Sequence, residues 1–461
     1  MFKNYLPVML VASSLFIVGC NDDDEPSAQA RVQAVHASAD APLANVTING
    51  DDASSTNSTF NSQTLSGVDY ATASGYIALD EGENSIQVDV QLPGGEVATV
   101  IPNTVLNLDS SLLYTVMVVG QADASSEFAV EPLIIARSAT GDNDATNVDV
   151  QVVHASPGVP EVDVHVTGPN DDINPGAPLA TLSYKASTGV VSVPAAEYRV
   201  RLALAGTSTV AFDSGAVALP AGAELTIAAI PNVNAAKDEN TVLSPVKLLV
   251  MDGTGSSIIH DTNEITQVRV GHLSADTPTV DVSVDGTVPV DLTNVDFKVV
   301  SGYLDLAAKA YDLGIFAFDD PTNLQIDAQG VEFEKGKDYS VYAINELANI
   351  DALVIEDKRR PVATSATLSV LHAASLPAAA TVDIYLTTST DISNSDPALA
   401  SFAYTDIVQN VYVAAGSYVV TVTGVGSKDA LLQLEGVMLE NGKVYKAIAT
   451  NEGILAADIT E

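Results

Sequence analysis

The chain of 461 residues contains a single cysteine, no tryptophan and only 5% aromatic residues. Its 19 lysines and arginines face 59 aspartates and glutamates, a formal net charge of −40. One cysteine excludes an intrachain disulfide and any Cys-rich zinc site. So large a negative charge repels phosphate, which argues against sequence-independent binding of nucleic acid. Scarce aromatics and absent tryptophan weigh against a carbohydrate-processing cleft, whose sugar faces would want aromatic rims. A long apolar run is missing too. The most apolar stretch, Leu6 to Val18, would span about 20 Å as a helix, short of the roughly 30 Å hydrocarbon core. What is present is a 47% hydrophobic content, too high for a disordered acidic polymer. At roughly 150 residues per domain, the length asks for about three domains. These figures bound the class and select no reaction.

The N-terminus reads as an address. Lys3 precedes the short apolar stretch, which ends in Ile17-Val18-Gly19-Cys20 and turns abruptly polar at Asn21-Asp22-Asp23-Asp24-Glu25. This resembles a bacterial lipobox, in which the cysteine is lipidated and becomes the first mature residue. The only thiol of the chain stands at the one position where that reading needs it. The sequence therefore implies a signal peptide over 1–19, lipid attachment at Cys20 and an acidic tether over 20–30. Each acyl methylene buried in a bilayer contributes about 0.8 kcal/mol, so several chains make a stable anchor. Asn21 is unlike the aspartate that retains lipoproteins at the inner membrane. The expected location is the cell envelope, lipid-anchored at the outer membrane, with the side it faces left open.

Internal repetition is the strongest signal in the chain. Val35-His36-Ala37-Ser38 returns as Val153-His154-Ala155-Ser156, as Gly271-His272-Leu273-Ser274 and as Leu371-His372-Ala373-Ala374-Ser375. A proline-containing turn follows each histidine, and an alternating segment follows the turn. Those segments include Val162-Asp163-Val164, Val280-Asp281-Val282 and Val382-Asp383-Ile384. Later matches, such as Ser74-Gly75-Tyr76 with Ser301-Gly302-Tyr303, extend the likeness downstream. Each unit offers seven or eight short strands with period-two alternation and frequent turn signals. That pattern predicts an all-β chain of four tandem antiparallel Ig-like β-sandwich domains, over 31–138, 148–252, 266–357 and 364–461. Polar linkers are expected between them, at 138–147, 253–266 and 357–364. Arranged end to end, the units would form a rod of roughly 150 Å.

The His-Ala-Ser, proline turn and Val-Asp-Val succession resembles domain of unknown function 4397, found in secreted proteins and lipoproteins of prokaryotes. The likeness covers nearly all of 31–461 as four copies. It implies a β-sandwich and an envelope location, and no activity comes with it.

Three constellations could carry chemistry. His36, His154, His272 and His372 could be metal ligands or general bases. Yet Asp40 and Asp276 are replaced by Gly158 and Leu376 in the other copies, so no His–Asp spacing persists. The histidines are therefore expected to be structural, hydrogen-bonded at a strand end. Ser38, Ser156 and Ser274 could be nucleophiles, but nothing resembles a nucleophile elbow or an oxyanion loop. Calcium is the cofactor the sequence offers, at Asp142 and Asp144 with Asp149 nearby, although no EF-hand loop is matched. Asp171-Asp172 and Asp319-Asp320 are similar loop carboxylates. The resulting expectation is a non-enzymatic, extended binding or adhesion module in the envelope, its partners the membrane and a carbohydrate or envelope protein. The alternatives are a purely structural acidic stalk and a carbohydrate-active hydrolase.

Overall fold

A computed structural model of the chain describes residues 28–50, 62–138, 146–174, 177–234, 243–376 and 379–460. Cys20, Asp142 and Asp144 lie outside the described residues. No helix among the described residues is long and apolar enough to cross a membrane. The described elements are strands, apart from three single turns of 3-10 helix at Pro93–Gly95, Val290–Leu292 and Leu347–Asn349.

The alternation that predicts strands is visible in the burial. In Gly82–Gln91 the side chains of Asn84, Ile86, Val88 and Val90 are buried while their neighbours are half-exposed. Strands of this kind form eight sheets, which pack as four sandwiches. In the first, Thr72–Ala73, Gln29–His36, Leu112–Val119 and Glu131–Ser138 make one sheet, with Ile77–Asp80 on its edge. The opposing sheet is Ser62–Val68, Ala44–Gly50, Gly82–Gln91 and Val97–Leu108. Ala30, Val32 and Ala34 of the histidine strand meet Val46, Ile48 and Val88 in the core between them. The third sandwich repeats this order with Leu304–Leu306, Thr266–His272, Asp338–Ile344 and Asp351–Asp357. Its opposing sheet is Val280–Val284, Ala310–Ala317 and Asp320–Glu332.

One pairing departs from the antiparallel expectation in all four sandwiches. Each histidine strand runs parallel to a strand near the end of its unit: Gln29–His36 to Leu112–Val119, Asn147–His154 to Glu224–Pro231, Thr266–His272 to Asp338–Ile344, and Ala366–His372 to Val444–Thr450. A parallel partner requires a long crossover, and here the whole opposing sheet supplies it. Parallel pairs belong in the middle of a structure, covered on both faces. Accordingly, every residue of Thr266–His272 and of Asp338–Ile344 is buried.

What covers the second face is another sandwich. Val35, Met117 and Val119 of the first pack against Val153, Ile230 and Leu249 of the second in one buried cluster. Leu273, Tyr342 and Ile355 of the third pack likewise on Leu371, Ala373 and Ile448 of the fourth. Gly271 belongs to this fit, because a Cβ there would lie 2.6 Å from the Tyr342 ring, which is wholly buried. The rod of units joined end to end is thus corrected. Each apolar side chain such as Val, Leu or Ile contributes about 1.5–3 kcal/mol on burial, and an end-to-end arrangement would leave these faces in water.

Two of the three expected linkers are also structured, and residues 139–145 of the other lie outside the described residues. Ser256–Ile259 adds a strand to the sheet of the second sandwich, paired with Val246–Met251. In the polar run Lys358-Arg359-Arg360, the Arg359 side chain is 0% exposed. It donates to Asp338 Oδ2 (3.1 Å), Gln267 Oε1 (2.8 Å) and the Ile459 carbonyl (2.6 Å). Arg360 donates to the carbonyls of Ala39 (3.1 Å) and Ala41 (2.7 Å) and to Asp69 Oδ1 (2.7 Å) in the first sandwich. This segment is a junction, and not a solvated tether.

Candidate functional site

The four histidines end their strands in the same local structure. Each Nε2–H donates to a backbone carbonyl six or seven residues later: His36 to Pro42 (2.9 Å), His154 to Pro160 (3.2 Å), His272 to Pro278 (3.1 Å) and His372 to Ala379 (2.7 Å). Each Nδ1 accepts from the backbone N–H two residues on, at Ser38, Ser156, Ser274 and Ala374, over 3.2–3.4 Å. Those partners fix one neutral tautomer, with the proton on Nε2. Burial pushes the His36 imidazole down to about 4, against the upward pull of its bond to Pro42. Burial lowers His154, His272 and His372 as well, partly offset by their carbonyl partners.

A second conserved arrangement surrounds each ring. An aromatic residue, Tyr70, Tyr184, Phe297 or Tyr404, sets its ring 6.2–6.3 Å from the imidazole in an edge-on contact. The next residue is left-handed in all four: Ala71 at φ 60°, Lys185 at 69°, Lys298 at 68° and Thr405 at 69°. Such a conformation costs about 1 kcal/mol or more outside glycine and persists only when its surroundings hold it. Here its N–H donates to the histidine's own carbonyl, at 2.7–2.8 Å in every copy. The aromatic-then-left-handed pair was open to sequence reading as Tyr70-Ala71, Tyr184-Lys185, Phe297-Lys298 and Tyr404-Thr405. The sequence reading did not reach it, since nothing local ties those residues to the histidine.

The serines are not brought to the imidazoles as bases, and among them Ser274 has a carboxylate contact, a long one of 3.5 Å from its Oγ to Asp276 Oδ1. The histidine lone pair that would accept a serine proton already receives a backbone N–H. Ser38 Oγ is buried without a partner, and Ser274 Oγ bonds Thr277 Oγ1 at 2.5 Å. Nor do the acids turn toward the rings. Asp40 accepts from the N–H groups of Ala122 (2.8 Å) and Asp123 (2.9 Å), and Asp276 from that of Leu347 (2.8 Å). The aspartates of the Val-Asp motif clamp turns in the same way. Asp163 takes Thr181 Oγ1–H (2.6 Å) and Gly206 N–H (2.7 Å), which lower its carboxyl. Asp383 takes the N–H groups of Ser401 (2.7 Å) and Gly426 (2.8 Å), with the same effect. Asp171 Oδ2 accepts from the Gly168 N–H (3.1 Å), and Asp320 Oδ1 from Thr322. Among the described residues no group of three His, Cys, Asp or Glu could hold a metal ion.

The densest buried charge lies elsewhere, between the third and fourth sandwiches. Asp357 is ion-paired with Lys446 Nζ across the gap and accepts from the hydroxyls of Ser340 and Tyr303, the latter at 2.7 Å. Arg269 Nε lies 3.7 Å from the same carboxylate and donates to Ser340 Oγ at 2.8 Å. Burial pushes the Asp357 carboxyl up, but the charges of Lys446 and Arg269 and the bonds from Lys446 and Ser340 hold it below the usual carboxylate range. Tyr303 also carries the Arg359 guanidinium 3.7 Å above its ring. Sequence reasoning missed this layer, although an arginine within Val268-Arg269-Val270 and a lysine within Tyr445-Lys446-Ala447 break otherwise apolar strands.

Comparison with protein families finds a match to DUF4397, a domain of unknown function, over residues 30–165 and 266–385, more than half of the chain. No curated protein matches. Among solved structures, the Bacillus anthracis TIE protein is similar over 89% of this chain and 69% of that one, at 12% identity and a TM-score of 0.15.

Proposed function

We propose that this chain, which belongs to the DUF4397 family of domains of unknown function, is a non-enzymatic cell-envelope lipoprotein whose paired sandwiches serve as a binding module. The observation that carries the non-enzymatic part is the use of both imidazole nitrogens by backbone at all four histidines. A ring that donates from Nε2 and accepts at Nδ1 has no lone pair left for a proton or a metal. The envelope part is supported by the signal-like stretch and by the position of the only cysteine, Cys20. The partner classes are a carbohydrate or another envelope protein, met on the acidic outer faces.

The Cys20→Ser variant tests the anchor. Expressed with its leader in a bacterial host, the unaltered chain should partition with membranes and into detergent. The variant should be recovered in the soluble exported fraction. Unchanged membrane partition of the variant would sink the lipoprotein reading.

A further inference from the structure

A cavity of about 210 Å³ opens beside the charged layer, between the third and fourth sandwiches. Arg269, Lys298 and Lys446 line it, together with the aliphatic side chains of Val300, Ile448 and Leu455, and no carboxylate does. Three of the 19 basic residues in a chain of net charge −40 are gathered here. Lys298 stands toward the rim, paired with the exposed Glu452 at 3.2 Å.

The inner charges do not balance. Arg269, Arg359 and Lys446 face Asp338 and Asp357, which leaves one positive charge without a counter-ion in a layer whose members are nearly all buried. Arg269 gives Nε to Ser340 and Nη2 to the Tyr342 hydroxyl at 3.3 Å, and the structure shows no hydrogen bond from its Nη1. An unneutralised buried cation is expensive unless something supplies the opposite charge.

The architecture does not demand these cations. The positions of Arg269 and Ser340 correspond to Gln33 and Thr115 in the first sandwich, where a neutral bond of 2.8 Å joins the two side chains. In the second sandwich they correspond to Gln151 and Thr226. A neutral amide therefore serves the same place between the first two sandwiches, and the charge between the third and fourth calls for a separate reason.

We propose that this cavity binds a small oxyanion. A guanidinium edge and two ammonium groups in a low-dielectric recess suit the oxygens of phosphate, sulfate or a small carboxylate, which share that chemistry. The volume lies below the roughly 300–1,000 Å³ of drug-sized ligand pockets and suits a small anion. The site is independent of the anchor, and it touches the histidine arrangement only through Lys298, whose N–H holds the His272 carbonyl while its side chain lines the cavity.

The test is calorimetric titration of the detergent-solubilised full chain with inorganic phosphate, sulfate and acetate, at ionic strength held constant with chloride. One saturable site per chain for at least one of them is expected, with a rise in melting temperature. Preference for phosphate or sulfate assigns a tetrahedral oxyanion, and preference for acetate a carboxylate. Lys298→Glu should weaken binding by about tenfold or more, and Glu452→Gln should tighten it, since it frees Lys298. Lys185→Glu, at the equivalent place in the second sandwich, should leave it unchanged. Absence of saturable binding of all three anions into the tens of millimolar would overturn the proposal. So would binding that a folded Lys298→Glu variant retains in full.

Discussion

Asp357→Ala should destabilise the third and fourth sandwiches by about 3–5 kcal/mol, the loss typical of removing one partner from a buried ion pair. Its carboxylate is the counter-charge that Lys446 meets across the gap, and Arg269 lies 3.7 Å away. Without it both cations would lose their carboxylate among the apolar side chains of Tyr342, Ile448 and Leu455. The loss should be confined to the unfolding transition of this half, because residues of the first two sandwiches share no partner with Asp357. The double variant Asp357→Leu with Lys446→Met removes both charges. It should recover most of the loss, since well-packed apolar replacements of buried pairs are often neutral. Denaturant unfolding of the two variants reads this directly, and a loss below about 1 kcal/mol for Asp357→Ala would show that the layer is solvated. The pair also sets an acid limit. A carboxyl lowered by folding contributes stability above its unfolded value, near 3.9, and that contribution fades as pH falls through the folded value.

Acidification should weaken the protein well before that limit. All four repeat histidines are lowered by burial, His36 to about 4 from the ordinary 6.5. Well above pH 6.5 they are neutral in both native and unfolded chains, and their contribution is complete. Between 6.5 and each ring's lower folded value, about 4 for His36, the unfolded chain takes up protons that the native one refuses, so stability falls with pH in that window. For His36 alone the fall is about 3 kcal/mol. The other three act in the same direction. His260, lowered to about 4 by burial and by nearby Lys247, Lys335 and Lys337, adds to it. Melting temperature should therefore decline steadily from pH 7 to 4.5. His36→Ala should flatten the decline while lowering the plateau at pH 7 by about 1–3 kcal/mol through unsatisfied backbone. A melting temperature independent of pH across the window would mean that the imidazoles are accessible to protons.

The sandwiches were legible because alternation is local. Gly82–Gln91 announces its buried face residue by residue, and the histidine turns announce themselves by repetition. The pairing of sandwiches was not read, although its trace is present. Leu112–Val119 is apolar at nearly every position, the composition of a strand covered on both sides. The parallel neighbour of each histidine strand lies about 70–80 residues downstream, and no local pattern specifies such a pairing. Lys358-Arg359-Arg360 looked like a solvated linker because charged side chains are rarely buried alone. Arg359 is buried because Tyr303, Asp338 and the Ile459 carbonyl, all distant in sequence, surround its guanidinium. The same distance hid the charged layer, since Lys446 and Asp357 stand 89 residues apart. Asp163 and Asp383 were seen only as parts of a motif. Their role as turn clamps depends on Gly206 and Gly426, each 43 residues further on.

The central claim is that the repeat histidines hold backbone and do no chemistry. Long-range proton–nitrogen correlation spectra of the chain, with ¹⁵N-histidine incorporated, test it ring by ring. Four imidazoles should appear as the neutral tautomer protonated at Nε2, unmoved from pH 8 through 6.5 and unshifted by zinc. Rings that titrate near 6.5, that carry the proton on Nδ1, or that shift stoichiometrically with zinc would contradict the account.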